Sequence, residues 1–383
     1  LSLSDFKSAF AHHHGFTHLN NAGLCPISRP AFETATHWLN RLYREGMHAN
    51  DDYLEALFKS RSTFGKLLGC SADQIAFFQS TSGAISQVAF GMDLKPQDEI
   101  LMWEGEYSSN FYPWQEAARR SGAKVVQVAL GPNFSTPVES LVSQITSRTK
   151  VIAISWVQFT HGSITDLQAL MDCVRGRNIW TVVDAIQGVG IHPLEMDKLG
   201  IDAVCLGSHK WLAGPVGVGI LALRKERISS LTPLMIGAHT YGTCEDPISL
   251  DCQLKTEADR FESGSRQVID ILALEASVKL ILETGVPIIR REAERLSDKL
   301  REGLRARGFT ISCPNSDSHP GAIVNFTPSS LGPQTSAQLA ETLKRAQISF
   351  ALRGQGIRLS PHAFNSDEDI ERVLEHISKA IAI

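Results

Sequence analysis

The chain has 383 residues, 43% of them hydrophobic and 20% charged, with a formal net charge of -4. That is enough apolar material for one large domain or two ordinary ones, and it excludes the basic balance that binding to nucleic acid or an anionic membrane needs. The longest apolar runs, such as VIAISWV from Val151, are far short of a membrane span. LSLSDFKSAF at the start lacks a basic stretch leading into a long apolar one, so no signal peptide is expected there. The seven cysteines are scattered and form no C-x-x-C pair, which predicts reduced thiols and a cytoplasmic setting.

Seven short apolar, β-branched runs read as strands: QIAFFQ from Gln74, EILMWE from Glu99, KVVQVAL from Lys124, KVIAISWV from Lys150, WTVVDA from Trp180, DAVCLG from Asp202 and GVGILALR from Gly217. They show little polar alternation, as strands covered on both faces do. Helix-like stretches lie between several of them, at Ser109–Ser121, Pro137–Ser147 and Asp166–Arg177. The alternation predicts an α/β fold with a mainly parallel sheet and helices on both faces. Leu231–Glu262 reads as a long polar loop. An amphipathic helical region follows from about Val268 to Arg307, interrupted near Gly285-Val286-Pro287. GAIVNF from Gly321, a helix from Thr335, SFALR from Ser349, IRLS from Ile357 and a last helix from Ser366 predict a smaller α+β C-terminal domain. The expected division is a large domain at 15–265 and a small one at 266–383 with residues 1–14, joined by the long helix starting near Val268.

Chemistry concentrates in two segments. In VVDAIQGVG, Asp184 ends a strand, and ligands of open α/β sheets bind off such ends. In LGSHKWLAGPVGVGIL, Lys210 also lies just past a strand. A carboxylate there can keep a ring nitrogen protonated, and a desolvated lysine can form a Schiff base. Together they are what pyridoxal phosphate chemistry needs. QSTSGAISQVAFG sets small polar residues between a strand and a helix, where backbone N–H groups favour an anion. HHHGFTH at His12–His18 lacks a further ligand at metal spacing, and no metal is expected. GPVGVG from Gly214 lacks the following helix of a dinucleotide site.

VDAIQGVG and CLGSHKWLAGPVGVGIL resemble the class V aminotransferase family of pyridoxal phosphate enzymes, in the branch of cysteine desulfurases, cystine C–S lyases, kynureninases and isopenicillin N epimerase-like proteins. The likeness runs from HLNNAGLCP near residue 18 to IRLSPHAFNSDEDI near the end. It implies fold type I and a homodimer with shared sites. It implies that Lys210 carries the cofactor and serves as base at Cα, that Asp184 pairs with the pyridine nitrogen and that Gln187 bonds the phenolic oxygen. Thr81, Ser82, Gly83, Ser208 and His209 would surround the phosphate, although desulfurases usually carry serine where this chain has Gly207. Tyr107 would stack on the ring in place of a histidine. Gln158 would approach near Gln187. Ser265 in RFESGSRQ would reach the partner's phosphate, with the His239–Tyr241 loop near the neighbouring site. Arg358 would bind the substrate α-carboxylate, with Arg353 at the same mouth and Asn21, Ala22 and Gly23 lining the substrate side.

The interval GQGI between the arginines has no room for the loop and nucleophilic cysteine of desulfurases, and Cys25 and Cys313 lie in other contexts. The resemblance therefore implies an enzyme acting on an α-amino acid through an external aldimine and Cα deprotonation, as a C–S lyase or a transaminase. An epimerase, a cysteine desulfurase and a non-catalytic binding protein are the alternatives.

Overall fold

The structure is a computed structural model that describes residues 1–11, 15–242, 252–312, 321–328 and 332–381. His12, His13, His14 and Cys313 lie outside the described residues. All seven predicted strands form and join one sheet: β1 (Ile75–Phe78), β2 (Glu99–Trp103), β3 (Lys124–Val128), β4 (Thr149–Ser155), β5 (Trp180–Asp184), β6 (Ala203–Gly207) and β7 (Gly219–Leu223). Their order is β1-β7-β6-β5-β4-β2-β3. Pairs within β3-β2-β4-β5-β6 are parallel, and β7 runs antiparallel to both β6 and β1.

The apolar runs explain the layering. Along β4, Ile152 and Ile154 face one hydrophobic core, while Val151 and Ala153 face another on the opposite side of the sheet. Both sides are dry, so an alternating pattern would have buried polar groups. At the edge, β3 departs from the expectation: Lys124 and Gln127 are exposed, because no strand flanks it further out.

Helices α1 (Arg29–Glu45) and α2 (Asn50–Leu68) pack against α5 (Val268–Thr284). Between them in the chain come α3 (Thr81–Gly91) and α4 (Ser108–Ser121), which follow β1 and β2. The expected amphipathic region divides at Gly285 into two unlike helices. In α5, residues Ile271, Leu272, Leu274, Val278 and Ile281 are buried round much of the circumference, since neighbours cover it on several sides. Only α6 (Val286–Arg305) has a distinct apolar stripe, carried by Ile289, Ala293, Leu296, Leu300 and Leu304.

The C-terminal segment builds a separate antiparallel sheet from β8 (Phe309–Ile311), β9 (Val324–Pro328), β10 (Ala351–Arg353) and β11 (Gly356–Leu359), in the order β10-β11-β9-β8. It has its own core, including Phe326, Leu339, Leu343, Leu359 and Ile370. The N-terminal segment reaches it: Thr17–His18 pairs in parallel with Ile348–Ser349, and Asn20 bridges Ser360. Cys25, Cys70, Cys173 and Cys205 are free, as the expectation of reduced thiols requires, but Cys252 is disulfide-bonded and departs from it. Among the described residues no helix is long and apolar enough to cross a membrane.

One buried ion pair ties the segment RFESGSRQ to the sheet edge. Arg61 of α2 donates from Nη1 and Nη2 to Glu262 at 2.7 and 2.9 Å, and also from Nη1 to the Ile75 carbonyl at 2.7 Å. Glu262 accepts the Phe77 N–H at 2.8 Å and the Arg266 guanidinium. Both side chains of the pair are almost fully buried. Removing one partner would strand a buried charge, which typically costs about 3–5 kcal/mol. Glu262→Ala is expected to lower the unfolding free energy by about that amount in denaturant titration. A loss below about 1 kcal/mol, the range of a surface pair, would refute this.

Candidate active site

The parallel strands deliver their C-terminal ends to one side of the sheet, and a cavity of about 200 Å³ opens there. Asp184 closes β5 and pairs in register with Cys205 of β6. Lys210 lies just past β6, where the chain turns before returning as β7. That turn is closed by the Ala213 N–H on the Lys210 carbonyl at 2.9 Å. Ala213 sits at φ 49°, in the left-handed region that side chains disfavour. The Ser28 N–H on its carbonyl (3.1 Å) and the Ser277 hydroxyl on the Leu212 carbonyl (2.7 Å) hold the turn against that cost. Gly207 and Gly219 face each other across β6 and β7. A Cβ on Gly207 would lie 2.9 Å from Thr81 Oγ1, and one on Gly219 would lie 2.3 Å from the Ser80 carbonyl oxygen. Both glycines are thus required for the strand pair to approach the start of α3.

Lys210 is 9% exposed. Burial pushes its ammonium from an ordinary 10.5 down to about 8; Asp184 opposes this, while Arg358 and Arg353 add to it. Burial likewise raises the Asp184 carboxyl to about 6, against the Ile186 N–H (3.0 Å) and Lys210. Lys210 Nζ stands 5.6 Å from the centroid of the Tyr107 ring. His209 is held down to about 4 by burial, then by Lys210, so its imidazole is neutral at pH 7.

Arg358 is buried on β11 and donates to the Phe159 carbonyl at 2.7 Å and to Asn20 Oδ1 at 3.1 Å. Among the described residues it has no carboxylate partner, and its Nε has no hydrogen bond. Burial and then Arg353 lower it to about 10, which leaves it charged. Arg353 lies across the hairpin and places its guanidinium 5.8 Å from the Phe159 centroid. β10 and β11 pair from Ala351↔Arg358 to Arg353↔Gly356, so only Gly354 and Gln355 turn the chain. None of Cys25, Cys70, Cys173 and Cys205 lines the cavity.

The cavity brings together Ala22, Thr81, Ser82, Tyr107, Asp184, Gln187, His209, Lys210, Arg353 and Arg358 from the predicted set, and Gly23 with them. Gln187 is tied by Nε2 to the Ala22 carbonyl (3.0 Å) and by Oε1 to Trp211 Nε1 (2.8 Å), which fixes the amide with one N–H still free. Four expected residues do not line the cavity. Ser208 turns its hydroxyl to the Pro215 carbonyl, away from the cavity. The N–H of Gly83 is taken by the capping hydroxyl of Ser80 at 3.1 Å, and Gly83 borders a neighbouring groove. Asn21 directs its amide to the Ser360 carbonyl at 2.8 Å, and only its neighbours Ala22 and Gly23 reach the cavity. Gln158 donates to Glu106 at 3.1 Å and does not line the cavity. Ser265 is exposed in that same neighbouring groove, beside Leu234 and Met235.

Sequence reasoning missed Ser80, Ser109, Phe159 and Ile186 in the lining, and Glu106 behind it. Phe159 had a weak signal, since it follows a strand end that runs beside Asp184. Its ring stands edge-on to Tyr107, with centroids 4.9 Å apart.

An anionic, ring-bearing ligand suits this donor set. Among the described residues, Thr81 Oγ1 is buried without a partner at the start of α3, and the first helical N–H groups have no partner within the helix. Asp184 and Lys210 lie in the same cavity.

The comparisons agree with the geometry. The model for "Aminotransferase class-V" matches residues 29–373. A probable cysteine desulfurase of Pyrococcus abyssi is 27% identical, over 95% of this chain and 94% of that relative. The isopenicillin N epimerase of Streptomyces clavuligerus is 28% identical, over 93% of each chain. Among solved structures, the apo cysteine desulfurase from Thermococcus onnurineus NA1 superposes with a TM-score of 0.89 at 22% identity, covering 99% of this chain and 98% of that one. The cystine C–S lyase C-DES, in complex with its product cysteine persulfide, gives 0.86 at 21% identity, covering 95% of this chain and 98% of that one. The fold and site define an α/β pyridoxal phosphate enzyme of fold type I. The chain belongs to the class V aminotransferase family, and its cofactor is pyridoxal phosphate.

The lowered lysine yields a prediction for the cofactor-free protein. As the lysine expected to take the cofactor aldehyde, Lys210 would react only when neutral, so the capture rate should rise with pH through a midpoint at about 8. Asp184 holds the proton on Lys210, so Asp184→Asn should move that midpoint lower. Stopped-flow absorbance across a pH series reads both, and a midpoint near the ordinary 10.5 would refute the desolvated lysine.

Proposed function

We propose that the protein is a pyridoxal phosphate-dependent C–S lyase, eliminating a sulfur leaving group from Cβ of an α-amino acid. The observation that carries this reading is the two-residue turn between Arg353 and Arg358, with no described free cysteine lining the cavity. A desulfurase passes sulfur to an enzyme thiol, whereas elimination needs only a base at Cα.

Bound pyridoxal phosphate supplies an electron sink conjugated to the substrate Cα. Thr81, Ser82 and His209 would hold its phosphate, and Tyr107 would cover its ring. Asp184 would keep a proton on the ring nitrogen, and the free N–H of Gln187 would bond the phenolic oxygen. Arg358 would clamp the α-carboxylate, replacing the counter-charge it lacks. Lys210 would then take the Cα proton as the Cβ–S bond breaks and the sulfur leaves with the bonding pair. Pyruvate and ammonia are the final carbon and nitrogen products. Transamination would use the same residues, with Lys210 returning the proton to the cofactor carbon. The protein would work as a homodimer, in which exposed Ser265 reaches the partner's phosphate; the exposed Leu234, Met235 and Ile236 nearby are the apolar surface that supports this.

Cystine and related β-substituted amino acids, assayed together for pyruvate, ammonia, released sulfur and keto acids, test the reaction. Stoichiometric pyruvate and ammonia are expected, abolished in Lys210→Ala and unaffected by alkylating accessible thiols with iodoacetamide. Sulfur release that alkylation blocks would establish a desulfurase instead, and keto acid without ammonia a transaminase. Arg358→Lys loses the bidentate fork, worth about 1.5–3 kcal/mol for a charged hydrogen bond. It should raise KM by about ten- to a hundredfold, and an unchanged KM would remove Arg358 from substrate binding.

A further inference from the structure

Glu106 follows β2 and directly precedes Tyr107, yet it does not line the cavity. Its carboxylate is surrounded by donors. Oε1 accepts the Ser155 N–H at 2.7 Å and Gln158 Nε2 at 3.1 Å, and Oε2 accepts Asn110 Nδ2 at 3.0 Å and the Ser155 hydroxyl. These donors come from three places: the end of β4, the segment after it, and α4. Ser155 is itself paired in register with Asp184. Tyr107 forms the start of α4, and its carbonyl accepts the N–H groups of Asn110 and Phe111 at 2.8 and 2.9 Å.

A tyrosine at a helix start, 38% exposed, has little packing of its own to fix its ring. Beyond its edge contact with Phe159, the covalent neighbour on its N-terminal side is the anchored one. We propose that Glu106 is a positioning residue: its four-fold hydrogen-bonded carboxylate pins the β2–α4 connection to the end of β4 and so holds the Tyr107 ring over Lys210. An amide of the same size cannot reproduce this arrangement, since it offers a single acceptor oxygen and turns its own N–H₂ toward donors. The inference rests on the reading of Lys210 and Tyr107 as cofactor residues.

Glu106→Gln tests it with readouts beyond turnover. The holoenzyme should keep the cofactor absorbance band, because Lys210 is intact, but lose at least about half of the visible circular dichroism that an ordered ring environment induces. In the cofactor-free protein, amide exchange at Asn110 and Phe111 should quicken by about tenfold or more. The kcat should fall by about a hundredfold, the scale of a misplacement near 1 Å, with KM changed by less than about threefold. In a Tyr107→Ala background, Glu106→Gln should add less than about twofold, because both changes remove the same interaction. If Glu106→Gln does not fold, Ser155→Ala removes one donor and should show the same signature at smaller size. Wild-type dichroism and exchange in either folded variant, or losses that multiply with Tyr107→Ala, would overturn the proposal. Survival of the cofactor band in Lys210→Ala would instead overturn the reading of Lys210 as the cofactor lysine.

Discussion

A buried ammonium is the constraint around which the site is arranged. Lys210 has lost most of its water, and the two arginines in its cavity also push its proton off. Asp184 alone among the charged lining residues holds that proton on. A lysine in this balance is poised near neutrality, which an exposed lysine is not. The balance survives only if the side chain cannot swing out to solvent. The strained turn at Ala213, braced by Ser28 and Ser277, fixes the backbone that carries it. The strain is thus located where rigidity has a chemical consequence.

The sheet serves the same end. Parallel strands β4, β5 and β6 finish side by side, so Ser155, Asp184 and the turn bearing Lys210 converge without any long loop. The reversal of β7 sends the chain back past the start of α3, and the facing glycines let it pass close to Ser80 and Thr81. Separate stretches of chain thereby share one cavity of about 200 Å³, and the second sheet contributes its arginine hairpin from the opposite side.

The strands were legible because burial on both faces demands continuous apolar runs, and every such run became a strand of the main sheet. Lys210, Asp184 and Arg358 were legible because their segments resemble a family. Orientation was not legible. Ser208 and Asn21 lie next to cavity residues in sequence, but each found a carbonyl to bond on the other side. Gly83 lost its N–H to a cap whose geometry spacing alone does not fix. The segment of α5 lies in a region whose sequence predicts an amphipathic helix, but the neighbours that cover its other faces come from residues far away in the chain. Phe159 and Glu106 escaped for the same reason: their importance lies in what they touch across the fold.

Charge explains why such a cavity is suited to its ligands. Lys210, Arg353 and Arg358 face a single carboxylate, Asp184. Among the described residues, Arg358 is buried with a carbonyl and an amide oxygen as partners and no carboxylate, an arrangement that leaves its positive charge without a counter-ion there. Burying an unpaired charge is costly, and a protein retains one where a ligand completes the pair. In the proposed reading, a phosphate near Thr81 and an α-carboxylate at Arg358 would supply that negative charge. Each anion that binds the folded chain and not the unfolded one also stabilises it by mass action. The under-neutralised cavity therefore couples the stability of the empty fold to the ligands it is shaped to hold.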